Sequence, residues 1–457
     1  MKKLLKPLLW LTMLTVCVSL VASFSLGGCK PVVEEPVEEP VVEEPVEELV
    51  EEPVAEVFDW KKFSGETIKI VFTSHPWQEA LEEYLGDFEE LTGITLEVAP
   101  YLPTMEYRQK RSVDVISGAF DGDVYMLCPV GFAPEYAHEG WAEPLDAYLN
   151  DPTLTSPDYD FEDFFASARD FIKADGQSTY TVPITAEAQV LFYRTDLFDA
   201  AGLEPPTTMD ELYEDAVELT TGDVNGITLR GRIDSNWWPF QGFLASYGGS
   251  WIDKDENILI NTPESIAAFD MYGKLVKECA SGGTADYCFD EIGNEFGTGK
   301  AAMYLDASVA LPRFSDSEKS VIQENFGTAL MPAGPAGSIP DVHYWGIAMY
   351  TKSEKKDAAW LFIQWATTKE MQKNLFIKGV PSARASVWDD EEIKAALPVD
   401  FVEVLKASLA NGQHAPLTPK FAKLQHILTI ELQAVITGQK TAEEAANSIA
   451  EQWEEIL

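Results

Sequence analysis

The chain has 457 residues, enough for two or three domains with buried cores at roughly 150 residues per domain. With hydrophobic residues at 46% and aromatics at 11%, most of it is expected to fold rather than stay disordered. Lys and Arg number 33 against 76 Asp and Glu, a formal net charge of −43. Such a surface repels phosphate backbones and anionic lipid, which excludes general nucleic-acid binding and any membrane attachment through a basic face.

Met1-Lys2-Lys3 supplies a positive end, an apolar stretch runs from Pro7 to Leu26, and Leu26-Gly27-Gly28-Cys29 closes it. This order reads as an export signal over residues 1–28. Its last four residues resemble a bacterial lipoprotein signal, in which the cysteine, here Cys29, becomes the lipidated first residue of the mature chain. About 20 apolar residues can also span a bilayer as an uncleaved anchor, but Leu-Gly-Gly-Cys and the segment behind it fit a lipoprotein better. Residues 29–57 form an acidic Pro/Glu/Val tether with eleven Glu between positions 34 and 56. Recurrent proline blocks helix and sheet hydrogen bonding, and like charges stretch the chain. At about 3.1 Å per residue, roughly 28 residues reach on the order of 85 Å. The folded body is therefore expected on the outer (periplasmic or extracellular) face of the cytoplasmic membrane, held only by lipid at Cys29.

From Thr67 the pattern becomes regular. Thr67-Ile-Lys-Ile-Val-Phe72 predicts a strand, and Glu79 to Leu91 a helix with apolar residues at 80, 81, 84, 85, 88 and 91. Ile94-Thr-Leu-Glu-Val98 predicts a second strand. A β-α-β unit favours parallel strands with a right-handed crossover. Ligands of open α/β sheets bind beyond the carboxyl ends of strands, so the loop Thr73-Ser-His75-Pro-Trp77 is expected at the mouth of a cleft. The run from Asp123 to Cys128 and the loop to Pro134 repeat the arrangement. Capping boxes open helices at Thr208 with Glu211 and at Thr441 with Glu444.

Of the five cysteines, Cys17 lies in the signal and Cys29 takes lipid. Outside the cytoplasm a disulfide is permitted. Cys279 and Cys288 enclose a Gly-containing loop and are a candidate bridge, with free thiols as the open alternative. Cys128, in an apolar strand, reads as a buried inert thiol. Several motifs fall short. Asn294 to Lys300 mimics a phosphate loop, but Asn294 replaces the first Gly and Ala301 the Ser/Thr that would hold Mg²⁺. Asp253-Lys-Asp255-Glu-Asn257 puts Ile258 where a calcium loop needs Gly, and a hairpin turn explains it better. The His residues show no zinc spacing, and no Gly-x-Ser-x-Gly elbow occurs. With 76 acids, paired carboxylates are no sign of glycosidase chemistry. No catalytic residue, metal or cofactor is therefore expected.

A set of segments carries a family likeness. They are Phe88-Glu-Glu-Leu-Thr-Gly-Ile94, Thr179 to Ala188, Leu191-Phe-Tyr-Arg194-Thr-Asp-Leu-Phe, Ala201 to Thr208, Gly299-Lys-Ala-Ala-Met-Tyr304, and Ala358 to Ala366. Together they resemble extracellular family 1 of the bacterial ABC-transporter solute-binding proteins, the carbohydrate group that contains maltose-binding protein. Leu229-Arg-Gly-Arg and Tyr304-Leu-Asp306-Ala-Ser-Val-Ala look most like its sorbitol/mannitol-binding branch. The resemblance implies an α/β, two-lobe periplasmic-binding-protein type II fold. Each lobe would be a mixed, mainly parallel sheet flanked by helices, with hinge crossings and the solute between the lobes. By analogy residues 58–186 and 346–395 form the first lobe and 187–345 and 396–457 the second. Hinges would fall near Pro183–Glu187, Tyr344–Ile347 and residue 395.

Sugar and polyol faces suit aromatic rings for stacking and charged side chains for bidentate hydrogen bonding. Trp77 and His75 lie in the first cleft loop. Glu187 matches the place where family members set a carboxylate on the sugar, with a hinge salt bridge as the alternative. In the run Arg230 to Trp238, Arg232 is the second-lobe hydrogen-bonding candidate, together with Asp306. Trp237 and Trp238 remain divided between stacking and core, and Trp345 could cap the cleft. Trp360 and Trp365 read as core, and Arg194 as a structural ion-pair partner. Ser308-Val309-Ala310 stand where the maltose-binding pattern sets a Trp, which favours a monosaccharide, polyol or disaccharide over a long oligosaccharide. The expectation is a lipid-anchored monomeric receptor, not an enzyme, that delivers a sugar or polyol to ABC permease subunits. A receptor for a uronate, sugar phosphate or polyamine, or a secreted glycoside-processing enzyme, stay open as alternatives.

Overall fold

The computed structural model describes residues 57–457 except 129, 131, 174 and 175. The signal, the lipidation position Cys29 and the tether up to residue 56 lie outside the described residues. The apolar alternation at 68, 70 and 72 makes β1 (Thr67–Val71), with Ile68 and Ile70 fully buried. β2 (Thr95–Val98), β3 (Val124–Leu127) and β4 (Val182–Pro183) follow in the same lobe. The second lobe is built on β5 (Glu187–Arg194), β6 (Met303–Ala307), β7 (Phe326–Ala329) and β8 (Val342–His343). The chain then returns to the first lobe as β9 (Gly346–Met349).

The first sheet runs β2-β1-β3-β9-β4. β1 pairs in parallel with β2 and β3, as the β-α-β reading requires, while β9 is antiparallel to β3 and β4. In the second sheet β5 lies antiparallel to β6, β7 and β8. The first sheet is thus mixed and the named strands of the second pair only antiparallel, which corrects the mainly parallel sheets that the resemblance implied; β5 and β9 enter their sheets through the crossings between lobes.

Those crossings set the site. Pro183 faces Gly346 in the first sheet and Glu187 faces His343 in the second. Between them the Ile184 N–H donates to the Trp345 carbonyl at 2.7 Å, and the Trp345 N–H donates to Thr185 Oγ1 at 3.3 Å. Gly346 is required there: a Cβ would stand 2.7 Å from that of Thr181.

Two local expectations are corrected. The helix over 79–91 is two helices, Pro76–Glu82 and Leu85–Thr92. The break falls beside Gly86, a poor helix former. Cys279 and Cys288 form no bridge, since both are free thiols. Cys279 is buried at the end of the helix Pro263–Cys279, whereas Cys288 caps the helix Phe289–Gly297 and turns its Sγ to Glu291 Oε2 at 3.0 Å. The capping boxes at Thr208 and Thr441 are both present. No helix of the described residues is long and apolar enough to cross a membrane.

Trp77 belongs to the core and not to the cleft. It sits just past the N-cap of Pro76–Glu82, on the face turned inward, fully buried with its ring 5.4 Å from Phe72. Trp77→Ala should therefore lower folding stability by about 3–5 kcal/mol, read as a shift in the denaturant midpoint.

Candidate ligand-binding cleft

A cavity of about 200 Å³ lies where the crossings meet the two sheets. Ser74 and His75 line it from beyond β1, and Glu106 and Arg108 from the helix Thr104–Ser117. Glu187, Arg230, Arg232, Trp238 and Phe289 face it from the second lobe, with His343 and Trp345 at the hinge.

His75 is placed by a helix cap. Its Nδ1 accepts the Trp77 N–H at 3.1 Å, which leaves the ring proton on Nε2, 3.5 Å from Glu187 Oε1. The same carboxylate oxygen accepts from Thr185 Oγ1 at 2.7 Å. Trp345 stands at the centre: its ring is 5.3 Å from His75 and 5.6 Å from His343, and the Arg108 guanidinium is 5.8 Å away.

His343 is held in one tautomer by Cys128. Burial above all pushes the Cys128 thiol up to about 12, so the sulfur keeps its proton and donates to the Val130 carbonyl at 3.0 Å. His343 Nε2, 3.2 Å from that sulfur, is then the donor in their contact. Its Nδ1 is left as a bare acceptor with no hydrogen-bond partner. Burial, reinforced by Arg108 and His75, drives the imidazole well below its ordinary value and keeps it neutral.

On the second lobe, Asp306 in β6 is fully buried and grips Arg230, with Nε to Oδ2 at 2.8 Å and Nη2 on Oδ1. Burial opposes the Arg230 charge, but the Asp306 carboxylate outweighs it and holds the guanidinium charged. Arg230 lies 5.1 Å from the Trp238 ring and 5.4 Å from Phe289. Arg232 reaches across the mouth of the cleft to Glu106, 3.6 Å away.

The structure thus gathers His75, Glu187, Arg232, Trp237, Trp238 and Trp345 around one cavity. Trp237 also packs into the core, edge-on to Phe421 at 5.1 Å. Asp306 is corrected: it stands behind Arg230 and does not line the cavity, because its oxygens are taken up by that guanidinium and by the Ala307 N–H. Arg108 and His343 escaped the sequence reading. For Arg108 a signal existed, since Met105, Arg108, Arg111 and Val115 fall on one helical stripe and an arginine on an apolar stripe is unusual.

Comparison with known proteins agrees with this architecture. The profile of the bacterial extracellular solute-binding protein family matches residues 72–373, and the chain belongs to that family. It is 30% identical over 351 residues to the erythritol/L-threitol-binding protein of Mycolicibacterium smegmatis, covering 73% of each chain. The mannitol-binding protein of Pseudomonas aeruginosa is 29% identical, over 74% of this chain and 81% of that one. An Agrobacterium radiobacter ABC-transporter solute-binding protein, solved in complex with ribitol, superposes with a TM-score of 0.79 at 26% identity. That match covers 86% of this chain and 99% of the other.

One carboxyl beside the hinge gives a pH prediction. Asp341, immediately before β8, is 1% exposed, and neither of its oxygens has a hydrogen-bond partner. The neighbouring Val342 N–H donates to the Gln413 carbonyl at 3.0 Å. Burial pushes the Asp341 carboxyl well above the usual range, so the folded protein holds a proton that the unfolded chain releases. Its contribution is fully present below the unfolded value and is lost as pH rises through the folded one. Asp341→Asn should melt above wild type at about pH 8, and the gain should shrink toward about pH 4; thermal melts across that range check it.

Proposed function

We propose that this protein is a receptor for a neutral sugar or polyol, which it passes to the permease subunits of an ABC importer. The observation that carries the reading is the cleft: guanidinium, carboxylate and indole groups from both lobes converge on about 200 Å³. The polyols named for the two relatives and the ribitol of the solved neighbour support the same class.

The receptor binds without turning over its solute. Hydrolysis of a glycoside needs one carboxyl as acid and a second across the bond. Glu187 is instead tied to Thr185 and placed beside His75, and Asp234 lies 2.8 Å from His426. The lobes divide as 58–186 with 346–395 and 187–345 with 396–457, and hinge near Pro183–Glu187, Tyr344–Ile347 and residue 395. The chain acts as a monomer on the outer face of the cytoplasmic membrane, tethered through lipid at Cys29.

Isothermal titration with erythritol, ribitol, D-mannitol, D-glucose and maltose tests this. At least one of the five should bind near micromolar, about 8 kcal/mol. Trp345→Ala should weaken the best ligand by about 2 kcal/mol or more. No response to any of the five would overturn the reading.

A further inference from the structure

Two buried polar atoms of cleft residues, Arg108 Nε and His343 Nδ1, lack a protein partner, and they are of opposite kinds. Arg108 lies 4.9 Å from the Phe132 ring and 5.8 Å from Trp345. Its Nε has no hydrogen-bond partner, and no carboxylate of the described residues pairs with the guanidinium. The other cleft arginines differ: Arg230 is neutralised by Asp306 and Arg232 faces Glu106. Buried arginines elsewhere keep close protein partners, although Arg111 Nη2 also has none. Arg111 donates to Tyr136 Oη at 2.8 Å and to the Met126 carbonyl. Arg384 donates to the carbonyls of Thr367, Asp160 and Tyr159, each at 2.7 Å. His343, whose ring is 5.6 Å from the same Trp345, carries the unpartnered acceptor Nδ1. A buried group left unsatisfied costs about 1–3 kcal/mol, more when charged, a cost that a ligand in the cleft can relieve.

We infer that Arg108 and His343 together read the ligand's hydroxyl groups, Arg108 donating to ligand oxygens and His343 Nδ1 accepting from a ligand O–H. This rests on the receptor reading above and narrows it to neutral polyhydroxylated solutes. A hydroxyl both accepts and donates, so it serves the pair. A carboxylate accepts from Arg108 but has no proton for Nδ1, and an ammonium has no lone pair for Arg108. The planar fork of a guanidinium matches two adjacent oxygens, as a lysine ammonium does not. Charge agrees, because Glu106, Glu187, Asp234, Asp290 and Glu291 also line the cavity and the chain carries −43, which disfavours an anionic solute.

The test uses calorimetry on wild type, Arg108→Lys, Arg108→Gln and His343→Phe, each first checked for folding by thermal melting. Erythritol, ribitol and D-mannitol serve as neutral probes, with D-gluconate and D-glucamine as charged ones. The tightest neutral polyol should bind every folded variant at least about tenfold more weakly, as expected for one lost buried hydrogen bond. Both charged probes should bind wild type at least about tenfold more weakly than D-mannitol. Because His343→Phe can fail to fold, monodeoxy analogues of the tightest polyol are titrated into wild type as well. At least one should lose about tenfold, and that loss should shrink in Arg108→Gln or, where it folds, in His343→Phe. Wild-type affinity in the folded Arg108 variants, or a charged probe binding more tightly than D-mannitol, overturns the inference while leaving the receptor reading intact. Failure of wild type to bind any neutral polyol or sugar overturns both.

Discussion

The site depends on two crossing segments that are hydrogen-bonded to each other. Residues 183–187 and 343–346 run antiparallel from one sheet to the other, tied by Ile184 to Trp345 and by Trp345 to Thr185. A single crossing would be a swivel, whereas a bonded pair restricts relative motion to a bend. The same residues are the cleft: Glu187, His343 and Trp345 all belong to this ribbon. In the proposed receptor, hinge and binding surface are therefore one piece of backbone, and a solute that touches Trp345 touches the element whose bending would open the site.

Much of this was legible, and the misses have physical causes. β1 and β2 could be read because alternation of apolar residues is local, and the parallel arrangement followed from the helical stretch between them. The antiparallel return of β9 could not, because Ala348 pairs with Tyr125 across more than 200 residues of chain, and no local pattern encodes such a partner. His75 could be placed because loops after parallel strands face a cleft. Trp77, two residues further on, was misplaced by the same rule: the helix had begun, and its inward face took the indole.

Asp306 and Arg108 show the limit from opposite sides. The sequence places Asp306 near the ligand by likeness, but polarity alone does not say on which side of an arginine a carboxylate stands. Here it stands behind, and its role is to fix Arg230 as a rigid donor against Trp238. A buried ion pair of this kind adds little net stability; its effect is orientation. Arg108 was passed over because lysines and arginines on helices are usually solvated, and only its place on the buried stripe with Met105 and Val115 marks it out. The sequence leaves the candidate bridge between Cys279 and Cys288 open, since spacing across a loop carries no information about which thiol caps a helix; the structure resolves it to free thiols.

The charges that span the cleft explain why closure should depend on a solute. Among the described residues three exposed ion pairs join the proposed lobes, Arg232 with Glu106, Lys319 with Glu79 and Lys406 with Asp389, at 3.6, 3.2 and 3.8 Å. All six side chains are between 37% and 84% exposed, and exposed pairs contribute about 0–1 kcal/mol each. They cannot by themselves hold the lobes shut. Moving a receptor from about 1:99 to 99:1 in favour of one state takes roughly 5.5 kcal/mol of differential binding, which lies within the roughly 8 kcal/mol of a micromolar ligand. If the lobes hinge as proposed, closing on an empty cleft leaves Arg108 Nε and His343 Nδ1 without partners, as they are in this structure. Two unsatisfied atoms then oppose empty closure, and a polyol that satisfies them removes that opposition.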